Sequence, residues 1–231
     1  MLINKKKYRT IWYNKEKDNV QIIDQNKLPF ELEIISLSNL NDVLLAIKEM
    51  KVRGAPLIGA TAAYGVYLAF KEYNCKKTIN EAAKKIKNTR PTAVNLFWAV
   101  DRMMSKIDFN HPKNKIEEIL LKEANNICEE DINKCKKIGE FGLEIIKNIK
   151  KSKNKINILT HCNAGWLATI DWGTATAPIY YARNNNIDVH VWVDETRPRN
   201  QGSSLTSYEL NNEGIENTII TDNSAGLLMQ K

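Results

Sequence analysis

The chain predicts an α/β protein: a β-meander and helical domain over residues 1–150, then parallel βαβ units over 151–231 that stop short of a full sheet. Three observations carry this. Short apolar runs near the N-terminus are separated by turn-forming residues, and after Asn39 the spacing of apolar residues becomes helical. From Ile156 onward, strand-like runs alternate with helix-forming segments, the pattern of strands joined by crossover helices. Between the two regions lies a basic, Ser- and Asn-containing stretch at 150–155, read as the domain boundary.

The meander is expected at 8–13, 20–24 and 31–37, with turns at 15–19 and 26–29. In the helix that follows, Val43, Ile47 and Met50 share a face. Gly54 and Pro56 interrupt the pattern and mark a turn. The segment 57–73 is apolar, with small residues at Gly59, Ala62, Ala63 and Val66, and so reads as a buried helix that lets its neighbours approach closely. Thr78 with Glu81 reads as a capping box opening another helix. The stretch 88–92 breaks it, and 93–104 resumes, with Asn95 read as a buried Asn that satisfies a backbone group. Residues 115–149 give one or two amphipathic helices. Beyond the boundary, strands are expected at 156–160, 187–193 and 218–221, and helices near 173–186 and 203–212, the second stopped by Gly214. Asp222-Asn223-Ser224-Ala225 then starts a helix. A doubly wound sheet usually has five or six strands, so three read as an unfinished domain.

With 231 residues, 43% of them hydrophobic, the chain can bury a sizeable core. Its apolar runs fall short of the roughly 18 to 20 residues that span a bilayer. The basic N-terminal segment lacks the apolar stretch of a secretory signal. The four cysteines form no CxxC pair, which fits a reduced, cytosolic protein. The net charge of +7 raises nucleic-acid binding. The basic residues are mostly scattered Lys interleaved with acidic ones, however, and form no Arg-rich arm, so nucleic acid and membrane are both read as absent from its partners.

Candidate functional residues cluster at turns. Arg53-Gly54-Ala55 precedes a helix whose free N–H groups could hold an anion, with Arg53 adding donors suited to phosphate; taken alone, the motif reads more readily as an ordinary helix–helix turn. Arg90-Pro91-Thr92 repeats the arrangement of Arg, breaker and helix start. Glu195-Thr196-Arg197-Pro198 with Gln201-Gly202 follows the second parallel strand, at the edge where open α/β sheets hold sugars and phosphates. No GxGxxG is present, which argues against a dinucleotide. Cys162 lies among polar residues where the first parallel strand ends, while Cys75, Cys128 and Cys135 look like inert helical cysteines. His161 precedes it, and adjacency in sequence is expected to point the imidazole elsewhere. Three scattered histidines argue against a zinc site.

Lys51-Val52-Arg53-Gly54-Ala55-Pro56, Arg90-Pro91-Thr92-Ala93-Val94-Asn95-Leu96, Thr160-His161-Cys162-Asn163-Ala164-Gly165, Gly173-Thr174-Ala175, Glu195-Thr196-Arg197-Pro198 with Gln201-Gly202, and Ile220-Thr221-Asp222 occur in order along the chain. Together they resemble the S-methyl-5-thioribose-1-phosphate isomerase family. Its superfamily also holds ribose-1,5-bisphosphate isomerases and the regulatory alpha, beta and delta subunits of the translation-initiation guanine-nucleotide exchange factor. The resemblance is collinear and spans essentially the whole chain. It implies a meander and helical domain joined to a Rossmann-like domain, a homodimer, and an aldose–ketose isomerase of methionine salvage that needs no metal or nicotinamide cofactor. It implies that Arg53, Gly54, Ala55, Arg90 and Gln201 contact a phosphosugar and that Cys162 is catalytic. The family's second catalytic group is an Asp in a Gly-Ala-Asp-Arg motif after a further strand. That motif does not occur in this sequence, Asp222 matches an earlier position, and the chain reads as C-terminally truncated.

Overall fold

The chain opens with a hairpin that its lysine-rich start conceals. Strand β1 (Leu2–Ile3) pairs antiparallel with β2 (Lys6–Lys7). Asn4 and Lys5 turn between them with φ of 49° and 63°, the doubly left-handed conformation of a tight hairpin, which Asn tolerates well. The structure, a computed structural model, describes residues 1–90, 94–152 and 155–230. They form two compact units, one of residues 10–27 and 32–131, the other of 1–9, 28–31 and 132–230. The sequence places a boundary at 150–155; the packing divides instead within the long helix at 131/132 and puts the N-terminal hairpin with the C-terminal residues.

In the unit containing residues 32–131, β3 (Ile11–Asn14), β4 (Asn19–Ile23) and β5 (Ile34–Leu37) form the expected antiparallel meander in that order. The Asn14 side chain accepts from the backbone N–H of Glu16 and Lys17 and closes the first turn. Helix α1 (Leu40–Lys48) is capped by Asn39, whose side chain accepts from Asp42 N at 3.0 Å. Val43 and Ile47 are buried; Met50 lies beyond the C-cap, in a left-handed conformation with φ of 59°, and leaves their face.

Helix α2 (Ala55–Tyr73) is buried continuously from Leu57 to Phe70. A Cβ on Gly59 would meet Asn95 O of α4 (Val94–Met104) at 3.0 Å, and one on Gly65 would meet Val43 of α1 at 2.8 Å, so its small residues do permit close approach. Helix α3 (Lys76–Lys87) starts one turn earlier than the predicted capping box. Cys75 is its extended N-cap, and Thr78, already inside the helix, bonds back to the Cys75 carbonyl. Helix α5 (Lys113–Lys150) is continuous, because its apolar residues, among them Ile116, Leu120, Ile127, Cys135 and Ile146, keep a helical period with no proline inside it, and its two glycines, Gly139 and Gly142, do not interrupt it.

In the other unit, β6 (Ile156–Thr160), β7 (Val189–Asp194) and β8 (Asn217–Ile220) pair in parallel in the order β6-β7-β8 among the described residues. The register aligns Thr160 with Val193 and Asp194 with Ile220, so all three strands end at one edge. A 3-10 turn at Trp166–Ala168 and helix α6 (Ala177–Asn184) connect β6 to β7. A wide π-helical turn, Gly202–Thr206, running into α7 (Ser207–Asn212) connects β7 to β8. Both connections are shorter or less regular than the helices expected there. A final short helix, α8 (Ala225–Gln230), follows β8. The N-terminal hairpin docks on α7: Leu2 N donates to Glu213 Oε1 and Asn4 N to Asn212 Oδ1.

Candidate active site at the carboxyl edge of the parallel sheet

Cys162 sits two residues past the end of β6, half-buried, with φ of 61°. A side chain in this left-handed region is strained unless its surroundings hold it. Here both of its backbone groups are held by threonine hydroxyls. Cys162 N donates to Thr196 Oγ1 at 2.8 Å, and Thr206 Oγ1 donates to Cys162 O at 2.7 Å. Thr196 Oγ1 in turn donates to Asp194 O, and Thr206 Oγ1 accepts from Asn163 Nδ2. The thiol loop is therefore stitched to the connection between β7 and β8 on both sides.

That connection is itself tightly built. Thr196 and Asn200 have φ of 60° and 56°. Asp222, just after β8, accepts from Thr196 N at 2.8 Å and Arg197 N at 2.9 Å, and these bonds hold its carboxyl below the usual carboxylate range. A Cβ on Gly202 would fall inside the Asp194 carbonyl, so only glycine lets the turn after Gln201 close onto the end of β7. Gln201, which the resemblance assigns to substrate, opens this helical turn and is half-buried.

His161 turns to Asp194: its Nδ1 lies 2.9 Å from Asp194 Oδ2, with the imidazole largely exposed and the carboxylate 4% exposed. Ligand-type atoms of His161, Asp194 and Asp222 lie within 4.8 Å of one another, the spacing of a metal cluster. Both Asp222 oxygens accept backbone N–H groups and Asp194 Oδ2 lies against the imidazole, while Asp194 Oδ1 is buried without a partner among the described residues.

Behind the thiol loop lies a buried carboxyl that sequence reasoning missed. Glu209 of α7 is 0% exposed and collects four donors: Asn163 Nδ2 and Leu167 N on Oε1, Trp166 N and Tyr180 Oη on Oε2. Burial outweighs these bonds and pushes its pKa up to about 7. Its sequence signal is a carboxylate on the buried stripe of its helix, between Leu205 and Leu210.

The remaining predicted residues belong to the other unit. Gly54 adopts φ of 81° as the N-cap of α2, followed by Ala55 and Pro56, and no acidic side chain occupies the first turn. That leaves the positive end of a 19-residue helix without a carboxylate in its first turn. Arg53 is 9% exposed. Arg90 is half-buried, and its Nη1 is buried without a partner among the described residues. Pro91, Thr92 and Ala93 lie outside the described residues, as do Lys153 and Asn154 of the expected boundary.

The sequence profile of the initiation factor 2 subunit family matches residues 51–231. The chain belongs to this family. It is 50% identical over 231 residues to the methylthioribose-1-phosphate isomerase of Methylorubrum extorquens, covering 100% of this chain and 63% of that protein. It is 51% identical over 240 residues to the protein of the same name from Desulfatibacillum aliphaticivorans, covering 100% of this chain and 64% of the other. The chain thus spans just under two thirds of the length of the curated relatives it matches. The crystal structure of 5-methylthioribose 1-phosphate isomerase from Pyrococcus horikoshii OT3 superposes with a TM-score of 0.84 at 36% identity, over 97% of this chain and 63% of that one. That of the translation initiation factor eIF-2B subunit delta from A. fulgidus gives 0.82 at 39%, over 97% and 65%.

Proposed function

We propose that this chain belongs to an aldose–ketose isomerase that converts S-methyl-5-thioribose 1-phosphate to S-methyl-5-thioribulose 1-phosphate, with Cys162 in proton transfer and Arg53, Gly54, Ala55, Arg90 and Gln201 binding the phosphosugar. The observation that carries the reading is Cys162 in its Thr-His-Cys-Asn-Ala-Gly setting at the carboxyl edge of a parallel sheet, where α/β proteins perform their chemistry. Support also comes from the similarity to proteins named methylthioribose-1-phosphate isomerase along the full chain.

The anomeric oxygen of this substrate carries the phosphate, so the ring cannot open to a free aldehyde. An acid protonates the ring oxygen and the C1–O4 bond breaks, leaving a C4 hydroxyl. The hydrogen on C2 is transferred to C1, and the C2 hydroxyl loses its proton as the carbonyl forms. Atoms and electrons balance within the sugar, and the protein has only to move protons and keep water out. The phosphate calls for cationic and N–H donors, which Arg53, Arg90 and the α2 N-terminus supply. By the same resemblance the protein works as a homodimer.

The test is an assay of the intact gene product on the methylthio sugar and on ribose 1,5-bisphosphate, with Cys162→Ser beside it. Turnover of the methylthio sugar is expected, falling about 100-fold or more in the variant. Turnover that survives the substitution overturns the role of Cys162. Preference for the bisphosphate makes the protein a ribose-1,5-bisphosphate isomerase. No turnover of either sugar, with a stable complex to a nucleotide-exchange partner, makes it a regulatory subunit, the reading its likeness to the A. fulgidus protein favours.

A further inference from the structure

We propose that Glu209 is the positioning residue of the Cys162 thiol, its buried carboxylate clamping the loop that carries it. The inference deepens the isomerase reading and rests on it for the importance of the thiol, but its geometry stands apart. An ionised carboxylate only accepts hydrogen bonds, with about four sites over two oxygens, and Glu209 faces four donors at 2.8 to 3.1 Å. Three of them, Asn163 Nδ2, Trp166 N and Leu167 N, belong to the segment directly after Cys162. The fourth, Tyr180 Oη, comes from α6 and fixes the carboxylate from behind. Gly165 lies so close that a Cβ there would overlap the carboxylate, which ties the glycine of Cys-Asn-Ala-Gly to this one side chain.

The clamp also links two groups the isomerase reading uses. Thr206, one turn before Glu209, donates to Cys162 O, and the same helical run begins at Gln201. The strained φ of Cys162 is thus held by Thr196 of the loop after β7 and by Thr206 of the helical run that carries Glu209, which fixes where the thiol points relative to that run. A glutamine at position 209 would keep the volume, but its NH2 would face a backbone N–H in either orientation, that of Leu167 (with Asn163 Nδ2 beside it) or that of Trp166, and at least one bond would be lost.

The experiment is alkylation of the full chain by iodoacetamide, followed at each cysteine by peptide mass spectrometry from about pH 6 to about pH 9. Cys75 is exposed, and buried Cys135 reports opening of the unit that holds Cys162. In Glu209→Gln, the Cys162 rate is expected to rise roughly fivefold and its pH midpoint to move, with Cys75 unchanged and Cys135 still protected. A Cys162 rate and midpoint equal to wild type in a variant that keeps Cys135 protected overturns the proposal. If Cys135 becomes reactive, the decision passes to Tyr180→Phe, which removes one bond of the four; a Cys162 rate roughly twofold above wild type supports the clamp and an unchanged one overturns it. No sugar is present in these measurements. A wild-type protein that fails to isomerise would therefore sink the isomerase reading and leave this result standing.

Discussion

At the scale of single residues, the carboxyl edge of the sheet holds side chains in conformations and ionisation states they would not choose in water. Cys162 and Thr196 both lie at positive φ, each costing on the order of 1 kcal/mol or more, and each is held by hydrogen bonds from other loops. Glu209 carries the larger consequence for stability. Its pKa in the folded chain is about 7, against 4.5 for a free glutamate, with desolvation as the main cause. Between those values the folded state binds more protons than the unfolded one, so the contribution of Glu209 is complete below about pH 4.5 and is lost as the pH rises to about 7. The Tyr180 phenol, which donates to Glu209, is pushed well above its ordinary value by the same burial and by the Glu209 charge. Urea midpoints are expected to fall from pH 5 to pH 7 more steeply in the wild type than in Glu209→Gln; equal slopes, or a steeper fall in the variant, would contradict the assignment.

At the scale of elements, close approach and one charged junction set the packing. Helix α2 brings α1 and α4 to its glycines, and a wide π-helical turn begins at Gly202 because no Cβ fits against β7 there. Helices α4 and α5 are joined by Arg102. Its guanidinium reaches Glu123 at 2.6 Å, takes Glu130 with two parallel bonds of 2.6 and 2.7 Å, and lies 5.3 Å over the Trp98 ring. A lysine cannot reproduce the fork or the stacking. Arg102→Lys is expected to lower unfolding free energy by about 2 kcal/mol, read by urea denaturation, with the exposed pair Lys147 and Glu144 as a control whose removal changes little. Equal effects at the two sites would show that the junction adds nothing beyond a surface pair.

At the scale of the whole molecule, 34 Lys and Arg stand against 27 Asp and Glu, and part of this charge is matched in local ion pairs such as Lys71 with Asp18, Lys113 with Glu117 and Lys155 with Glu216. Fluorescence anisotropy on duplex DNA near physiological salt is expected to show nothing tighter than ordinary non-specific binding, about 10⁻⁴ to 10⁻⁶ M; a saturable complex at about 10⁻⁸ M would make the basic surface functional. Among the described residues, no helix is long and apolar enough to cross a membrane. The sequence by itself determined the kinds of element and their order, because apolar periodicity and turn residues act within a few positions of the chain. The meander, the buried α2, the parallel βαβ run and the place of Cys162 at a strand end were all legible that way. Only the tertiary structure decided what holds Cys162. Thr196, Thr206 and Glu209 are 34 to 46 residues away from the loop groups they bond, and a hydrogen bond across that distance leaves no periodic trace in the sequence. The same holds for the N-terminal hairpin, whose bonds to α7 span 208 and 211 positions and place the first residues beside some of the last.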